Sequence, residues 1–306
     1  MHLLEVNHLT KNYGNGRGVF DVSFFVDQGE VYGFLGPNGA GKSTTIRHLL
    51  GFSKPDKGKT LIKGKESFNE YYKVLGDVGY IPGEIAFPKG LTGYELIEME
   101  LAMKKATKHN RLDEMLKLFE LDDASLKMDT KYMSLGVKRK LAVVIAFMSD
   151  AKILILDEPT SGLDPKMQEI FIDFIKKEKK RGKTILLSSH IFSEVDATCD
   201  RIGIIKDGRL VSEFIANNLK HNKNKIYEIV LKEKEKFIKE NKDKKFLTII
   251  NEDESHLLIY VDEQYSNELI NILSQYHILD FVSKNETLED YFMKFYKQDK
   301  KFERRL

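Results

Sequence analysis

Gly36-Pro37-Asn38-Gly39-Ala40-Gly41-Lys42-Ser43 is a glycine-rich loop with the pattern G-x-x-x-x-G-K-[ST]. Residues 31–35 before it are typical of a buried strand, and residues 42 to about 50 after it of a helix. Glycines let backbone N–H groups converge on phosphate oxygens, because they remove obstructing side chains and permit unusual dihedral angles. The stretch therefore predicts a phosphate-binding loop in an α/β protein.

This loop supplies most of the candidate nucleotide-binding residues. The start of the following helix adds its positive dipole end, the Lys42 ammonium can bridge the β- and γ-phosphates of ATP, and the Ser43 hydroxyl can ligate Mg²⁺. A glycine turn with a surface lysine is disfavoured, because the loop follows a strand and opens a helix. The candidates are Gly36, Pro37, Asn38, Gly39, Ala40, Gly41, Lys42, Ser43 and Thr44.

Two adjacent carboxylates, Asp157 and Glu158, end the apolar strand predicted at residues 152–157. Such a pair at the end of a buried strand is costly unless something offsets its charge, and a Mg²⁺ ion with an attacking water would do so. Asp157 is then placed to hold Mg²⁺, directly or through water, and Glu158 to polarise the water that attacks the γ-phosphate. The alternative, a helix cap or surface acids, is disfavoured by the phosphate loop upstream.

His190 follows a second apolar strand, predicted at residues 184–188. A lone histidine is more often structural than functional. This one ends a strand that should neighbour the strand of Asp157, so we expect it to hydrogen-bond the γ-phosphate or the attacking water.

The order of elements predicts a parallel sheet covered by helices on both faces. Apolar residues at helical spacing make residues 91–149 a helical subdomain, in which Leu96, Met99, Met103, Leu112, Met115, Leu116 and Phe119 are expected to form a packed core face. The remaining predicted elements are strands 22–26 and 201–206, a turn at 27–30, and helices 165–180 and 191–198.

A second domain is expected after residue 216, giving domains at residues 1–216 and 217–306. Residues 217–225 are polar and rich in Asn and Lys, which is typical of a linker. Beyond it the pattern is β-α-β-β-α-β with a trailing helix, a ferredoxin-like order. The Lys-rich residues 232–245 alternate in charge sign and favour a solvated helix face. The predicted elements are strands 226–231, 246–250, 256–261 and 278–283 and helices 233–241, 263–275 and 287–296.

Composition narrows the function classes. The 306 residues carry 49 Lys and Arg against 47 Asp and Glu, so the strongly basic footprint of a nucleic-acid binder is missing. The single cysteine, Cys199, excludes an intrachain disulfide framework. Residues 1–7 have no secretory signal, and the longest apolar run, residues 141–148, is far shorter than the roughly 20 residues of a membrane span. If the protein works at a membrane, another chain must span it.

With these residues in view, the chain resembles the ATPase subunit of an ATP-binding cassette (ABC) transporter over about residues 2 to 215. The run from Asp157 to Pro165, Asp-Glu-Pro-Thr-Ser-Gly-Leu-Asp-Pro, resembles the Walker B and D-loop run of that family. Ser189-His190 resembles its switch histidine. Tyr13 resembles the aromatic that stacks on adenine, although packing is an equally good explanation from the residue alone. The resemblance also makes Asp164 a nucleotide-binding candidate.

Two family motifs depart from the usual pattern. The signature Leu-Ser-Gly-Gly-Gln is here Met-Ser-Leu-Gly-Val at residues 133–137, which keeps Ser134 and Gly136. A helix-capping role for Ser134 is as good as a phosphate contact. Gly-Tyr-Ile-Pro-Gly-Glu at residues 79–84 stands where Gly-Tyr-x-Pro-Gln is usual. Glu84 can replace the glutamine as a ligand of Mg²⁺ or water, with the register ambiguous by one residue.

The resemblance implies a peripheral subunit on the cytoplasmic face of the cell membrane that binds ATP and Mg²⁺ and drives a separate transmembrane permease subunit. It also implies a head-to-tail dimer with a second nucleotide-binding subunit, either a second copy or a related chain. Residues 287–292 resemble a closing helix of drug- and peptide-exporter ATPases, so export is favoured over import. The cargo is not encoded in this chain.

Three other functions are weaker readings of the same residues. A soluble ABC ATPase acting on nucleic acid or ribosomes would usually carry two cassettes or a long coiled coil, and no nucleic-acid partner is expected here. A GTPase-like switch would need an Asn-Lys-x-Asp element, which the sequence lacks. A catalytically dead interaction module conflicts with the intact Lys42, Asp157, Glu158 and His190.

Overall fold

The structure is a computed structural model that describes residues 1–104, 111–217, 224–244, 246–251, 255–284, 288, 289 and 292. The chain divides into two compact units, Met1–Phe214 and Ile215–Leu306. Up to Ile215 the strands are β1 His2–Gly14, β2 Arg17–Asp27, β3 Val31–Leu35, β4 Lys57–Ile62, β5 Lys65–Glu66, β6 Val78–Ile81, β7 Ile153–Asp157, β8 Thr184–Ser189, β9 Arg201–Lys206 and β10 Arg209–Ile215. The helices are α1 Lys42–Leu49, α2 Ser67–Val74, α3 Gly93–Met103, α4 Leu112–Leu118, α5 Asp123–Lys127, α6 Leu135–Met148, α7 Pro165–Lys180 and α8 Phe192–Thr198.

The central sheet has six strands in the order β10-β9-β3-β8-β7-β6. The pairs β3–β8, β3–β9, β7–β8 and β6–β7 are parallel. Every residue of β3, β7 and β8 is buried, because these apolar runs are covered on both faces. The parallel sheet expected from the sequence is therefore confirmed.

Register in this sheet brings the motif residues to one edge. Leu35 pairs with Ser189, and Asp157 pairs with Ser188. The carboxyl ends of parallel strands meet at the same edge, so the phosphate loop after β3, the acid pair after β7 and His190 after β8 leave the sheet side by side.

A second sheet packs over the first through helix α1. Its four strands lie in the order β2-β1-β4-β5, with antiparallel pairing. Leu4 and Val22 from this sheet share a core with Phe34 of β3 and Ile46 of α1. The helix that opens at the phosphate loop is thus held between two sheets, which fixes the position of its N-terminus.

The helical subdomain is made of α3 to α6, and it corrects one sequence expectation. Met115 and Phe119 are fully buried, as predicted, whereas Met99 and Met103 are 41% and 64% exposed. The buried face of α3 follows Gly93, Ile97 and Leu101, four residues apart, with Leu96 beside it. Met99 and Met103 each lie two residues from Leu101, about 200° around the helix, so they face away from the core.

The C-terminal unit contains β11 Asn224–Leu231, α9 Lys234–Asn241, β12 Leu247–Asn251, β13 His256–Asp262, α10 Ser266–Leu273 and β14 Ile278–Lys284. Its antiparallel sheet has the order β12-β13-β11-β14, which is the ferredoxin-like arrangement predicted. Ile229, Ile259, Phe237 and Leu269 meet in its core.

Local differences from the predicted elements of this unit are small. The first residues of the helix expected at 263–275 form a 3-10 turn, Glu263–Tyr265, before α10 begins. In the Lys-rich segment, α9 turns Lys234, Phe237 and Asn241 inward, whereas residues 235, 236, 239 and 240 are exposed. Most of the linker at 217–225 and of the helix expected at 287–296 lies outside the described residues.

Candidate nucleotide-binding site

The phosphate loop connects β3 to α1 with the backbone conformation that its glycines allow. Gly41, the N-cap of α1, has φ 110°, which L side chains rarely adopt, and a Cβ there would lie 2.8 Å from Val19 Cγ1. Lys42 begins the helix and is 3% exposed. Its ammonium donates hydrogen bonds to the carbonyl oxygens of Gly36 at 2.6 Å and Pro37 at 3.1 Å. The lysine is therefore folded over its own loop.

Glu158 lies between two cationic or cation-forming side chains. Its Oε1 is 3.1 Å from Lys42 Nζ, and its Oε2 is 3.3 Å from His190 Nδ1. The residue has φ 47°, an uncommon value for a non-glycine residue, and its N–H donates to the Ser188 carbonyl oxygen at 3.0 Å. This turn at the end of β7 points the carboxylate across the sheet edge toward the phosphate loop.

Asp157 is nearly fully buried, and the Ser188 hydroxyl donates a hydrogen bond to its Oδ1. The loop after β6 passes close to its other oxygen, since a Cβ on Gly83 would lie 3.0 Å from Asp157 Oδ2. Glu84 follows directly in that loop. Asp157, Glu158 and Glu84 therefore lie close together, although they come from separate parts of the chain.

A cleft of ≈ 500 Å³ joins these residues. Nine sequence candidates line it: Asn38, Gly39, Gly41, Lys42, Ser43, Thr44, Glu84, Asp157 and Glu158. Arg47, Tyr80, Pro82, Gly83 and Ser161 line it too, and sequence reasoning did not single them out as site residues. Burial and the nearby charge of Asp157 raise the pKa of Tyr80 to about 12. The candidates outside this lining are Tyr13, Gly36, Pro37, Ala40, Ser134, Gly136, Asp164 and His190.

Ser134, Gly136 and Asp164 lie around helix starts. The Ser134 hydroxyl accepts a hydrogen bond from Val137 N at 3.3 Å and caps α6, while Asp164 Oδ1 accepts from Met167 N at 2.9 Å and caps α7. A Cβ on Gly136 would lie 3.3 Å from the carbonyl oxygen of Gly162, so the signature run touches the turn that follows the acid pair. The capping explanation for Ser134 is therefore realised in this structure, and it leaves the residue exposed.

Tyr13 lies at the end of β1 with 57% of its surface exposed. Its ring centroid is 5.9 Å from the Lys11 ammonium. A ring this open makes little contribution to packing, so the structure disfavours the packing explanation and leaves a flat aromatic surface available to a ligand.

Two buried charged residues close to the site carried no motif signal. Arg139 of α6 donates to the carbonyl oxygens of Pro82, Gly83 and Ser161 at 2.7 to 2.8 Å. Glu194 of α8 accepts from the hydroxyls of Ser189 at 2.6 Å and Thr160 at 3.3 Å. In the sequence both look like ordinary charged positions on amphipathic helices. No local pattern in the sequence distinguishes either residue, so sequence reasoning had no signal that would have found them.

The donor groups in this cleft are of the kind that Mg²⁺ takes. Within the described ranges, no three His, Cys, Asp or Glu side chains converge as a metal-ligand group. Mg²⁺ does not require one, because it usually takes one or two carboxylates together with water and substrate phosphates. Ser43, Asp157 and Glu84 offer a hydroxyl and two carboxylates in one cleft, so the residues fit this ion.

None of the described helices combines the length and apolar character that a bilayer-crossing segment needs.

Residues 19–161 match the family model described as ABC transporter. The bacitracin transport ATP-binding protein BcrA of Bacillus licheniformis is 33% identical over 298 residues, which cover 95% of this chain and 96% of that protein. The linearmycin resistance ATP-binding protein LnrL of Bacillus subtilis (strain 168) is 35% identical over 69% of this chain and 68% of its own length.

A solved structure of an ATP-binding cassette is also similar to this chain. The dimeric ATP-binding cassette MJ0796 in a post-hydrolysis state, bound to ADP and Pi, is 25% identical and superposes with a TM-score of 0.63 over 70% of this chain and 98% of its own. In this chain the phosphate loop, the acid pair and His190 follow neighbouring parallel strands at one edge of the sheet. The chain therefore belongs to the ABC transporter family, as one of its ATP-binding and ATP-hydrolysing subunits.

Proposed function

We propose that this subunit energises the export of a drug-like or peptide antibiotic through a separate transmembrane permease, from the cytoplasmic face of the cell membrane. One relative that matches along nearly the whole chain, the C-terminal unit included, is named for bacitracin transport. We further propose residues 1–216 as the nucleotide-binding domain, with a helical subdomain at about 91–149, and residues 217–306 as an accessory domain.

The observation that carries the catalytic part of the proposal is the position of Glu158 between Lys42 and His190. A carboxylate there can orient and polarise a water at the γ-phosphate, while His190 supports that water or the phosphate itself. When ATP binds, the Lys42 ammonium moves from the Glu158 carboxylate to the phosphates. The group that pairs with the proposed base in this structure then binds the reacting γ-phosphate.

The phosphate loop and the helix start of α1 bind the triphosphate through backbone N–H groups. Ser43 and Asp157, with Glu84, would hold Mg²⁺, which would supply positive charge to offset that of the phosphates. Tyr13 stacks on the adenine. These roles for individual residues are supported by the shared cleft and by the exposed ring of Tyr13.

The working unit in this proposal is a head-to-tail pair of cassettes, either two copies or this chain with a related one. Ser134, Gly136 and Asp164 then complete the site of the partner cassette. Support comes from their place outside the cleft of their own chain and from the exposed Leu135, which is 57% accessible beside Ser134.

The catalytic proposal is tested with Glu158→Gln in the full-length chain. We expect ATP binding to stay close to wild type and steady-state hydrolysis to fall by about a hundredfold or more, because the amide cannot act as a base. Normal turnover of this variant would show that Glu158 does not carry the role. Ser161→Ala, a change in the same cleft that removes no carboxylate, is the matched control.

The transport proposal is tested separately. The tagged protein is purified from membranes in mild detergent, and its partners are identified by mass spectrometry. A polytopic membrane protein in near-equal amount, together with loss of antibiotic resistance when Glu158→Gln replaces the wild type, is the expected result. Recovery of ribosomal or nucleic-acid partners alone, with the protein in the soluble fraction, would contradict the membrane role while leaving the ATPase intact.

A further inference from the structure

Arg139 is a buried arginine whose side chain is committed to three backbone carbonyl oxygens. It lies on α6, five residues after the cap Ser134, and is 2% exposed. Nη1 donates to the Pro82 oxygen at 2.8 Å, Nη2 to the Gly83 oxygen at 2.7 Å and Nε to the Ser161 oxygen at 2.8 Å. Each guanidinium nitrogen thus has an acceptor on a loop rather than on a carboxylate.

The three acceptors belong to the two loops that carry the acids of the cleft. Pro82 and Gly83 precede Glu84 directly, and Ser161 donates its N–H to the Glu158 carbonyl oxygen at 3.2 Å in the turn after β7. Both loops line the same cleft. The distances between Glu84, Glu158 and the phosphate loop therefore depend on how these two loops are held against each other.

We propose that Arg139 is a positioning residue for ATP hydrolysis, which fixes the loop of Glu84 against the loop of Glu158 and ties both to the helix that begins at Ser134. A guanidinium suits this task because its donors form a rigid planar fork, whereas a lysine ammonium is a single point with rotatable donors. The inference rests on the roles proposed above for Glu84 and Glu158.

The electrostatic setting agrees with this role. Burial lowers the pKa of the Arg139 guanidinium, and the negative charges of Asp157 and Glu158 act in the opposite direction. The buried cation therefore lies within the field of the acid pair, so it also offsets part of the charge that β7 brings to the sheet edge. Movement of α6 would be transmitted through the Arg139 side chain to the loops that carry Glu84 and Glu158.

The test compares Arg139→Lys and Arg139→Met with wild type in the full-length chain, with ATP affinity and kcat measured separately. We expect ATP affinity to stay within about threefold, while kcat falls about tenfold to a hundredfold in Arg139→Met, since displaced catalytic groups cost rate more than binding. Arg139→Lys restores part of the rate. Lys140→Met, on the same helix, removes a positive charge that makes none of these three bonds, and it should leave kcat unchanged.

A double-mutant cycle with Glu84→Gln identifies the route. If Arg139 acts through the Glu84 loop, the losses in kcat from Arg139→Lys and Glu84→Gln are not additive. Thermal melting confirms that each variant is folded. If Arg139→Met does not fold, the comparison with wild type rests on Arg139→Lys.

The proposal would be overturned if kcat were unchanged in both Arg139 variants, or if Lys140→Met lowered kcat as much as they do. It would also be overturned if ATP affinity fell by as much as kcat. Glu158→Gln keeps the two proposals apart. If Glu158→Gln loses hydrolysis while the Arg139 variants keep wild-type kcat, the catalytic role of Glu158 stands and only the positioning role of Arg139 is excluded.

Discussion

Lys42 and Glu158 form an ion pair across the cleft, with 3.1 Å between Nζ and Oε1. The lysine comes from the first turn of α1 and the glutamate from the end of β7, and their side chains are 3% and 19% exposed. Because β3 and β7 both lie beside β8 in a parallel sheet, their carboxyl ends are held within reach of a side chain. The residue proposed to hold phosphate and the residue proposed to activate water are therefore in direct contact.

Replacing Lys42 should weaken ATP binding. In Lys42→Ala we expect ATP affinity to fall about tenfold or more, because a charge-assisted contact to phosphate is lost and Glu158 loses its counter-ion. Equilibrium binding of a fluorescent ATP analogue measures the change. Lys59→Ala, an exposed lysine on β4, is the control. Wild-type affinity in Lys42→Ala would exclude the proposed phosphate contact.

His190 should matter for rate rather than for affinity. Its Nδ1 lies 3.3 Å from Glu158 Oε2, so it contacts the proposed base directly. We expect His190→Ala to lower kcat about tenfold to a hundredfold with ATP affinity nearly unchanged, and His190→Gln to retain more activity because it keeps a hydrogen-bonding group. Steady-state hydrolysis and nucleotide binding, measured on the same preparations, separate the two. A change in affinity alone would contradict this assignment.

Glu194 should make stability depend on pH. Burial raises its pKa to about 7, the charge of Glu158 adds to this, and the hydrogen bonds from Ser189 and Thr160 act the other way. The folded protein therefore holds a proton that the unfolded chain, with a pKa near 4.5, has released. The contribution is fully present below about pH 4.5 and is lost as pH rises through about 7.

The size and the control of this effect follow from linkage. One pKa unit corresponds to about 1.4 kcal/mol, so the free energy of unfolding should decline by on the order of 3 kcal/mol across that range because of Glu194. Glu194→Gln cannot titrate and should gain stability relative to wild type as the pH is raised. Urea unfolding at about pH 5 and about pH 8 tests this. Equal differences at both pH values would contradict it, and the exposed Glu98→Gln serves as the control.

The buried pair of Arg111 and Glu178 should hold the helical subdomain to α7. Arg111 Nη1 lies 2.8 Å from Glu178 Oε2, and the glutamate side chain is 1% exposed. Arg111→Met leaves that carboxylate with Arg181 as its remaining partner, so we expect a loss of about 3 kcal/mol in the free energy of unfolding.

The double variant Arg111→Met/Glu178→Leu should recover part of this loss, because no buried charge is then left uncompensated. Chemical denaturation measures both variants. A double variant no more stable than Arg111→Met would show that packing, rather than charge, accounts for the loss.

Elements with strong local signals were predicted closely. The expected helix at 165–180 coincides with Pro165–Lys180, whose start is set by a proline in the first turn and the Asp164 cap. The strands expected at 31–35 and 201–206 match Val31–Leu35 and Arg201–Lys206. These signals are contained in neighbouring residues, so a short stretch of sequence is enough to identify them.

The faces of helices were less predictable. Met99 and Met103 were expected in the core of the helical subdomain but are exposed. The buried side of α3 is a row of residues four positions apart, and the apolar spacing in the sequence did not show which of two possible rows would be buried. The long strand His2–Gly14 was not singled out either, since its polar and apolar residues alternate irregularly around several register shifts.

Residue types and their spacing were enough to predict a loop that fits phosphate, two carboxylates, a histidine and the family to which they belong. These are properties of residue type and local backbone, which do not need a folded chain to be recognised. Which of these groups contact each other could be seen only in the folded chain. Arg139 meets Pro82 from 57 positions away, and Glu194 meets Thr160 from 34 positions away. Such contacts depend on the order and register of the strands, which bring distant loops to one edge of the sheet.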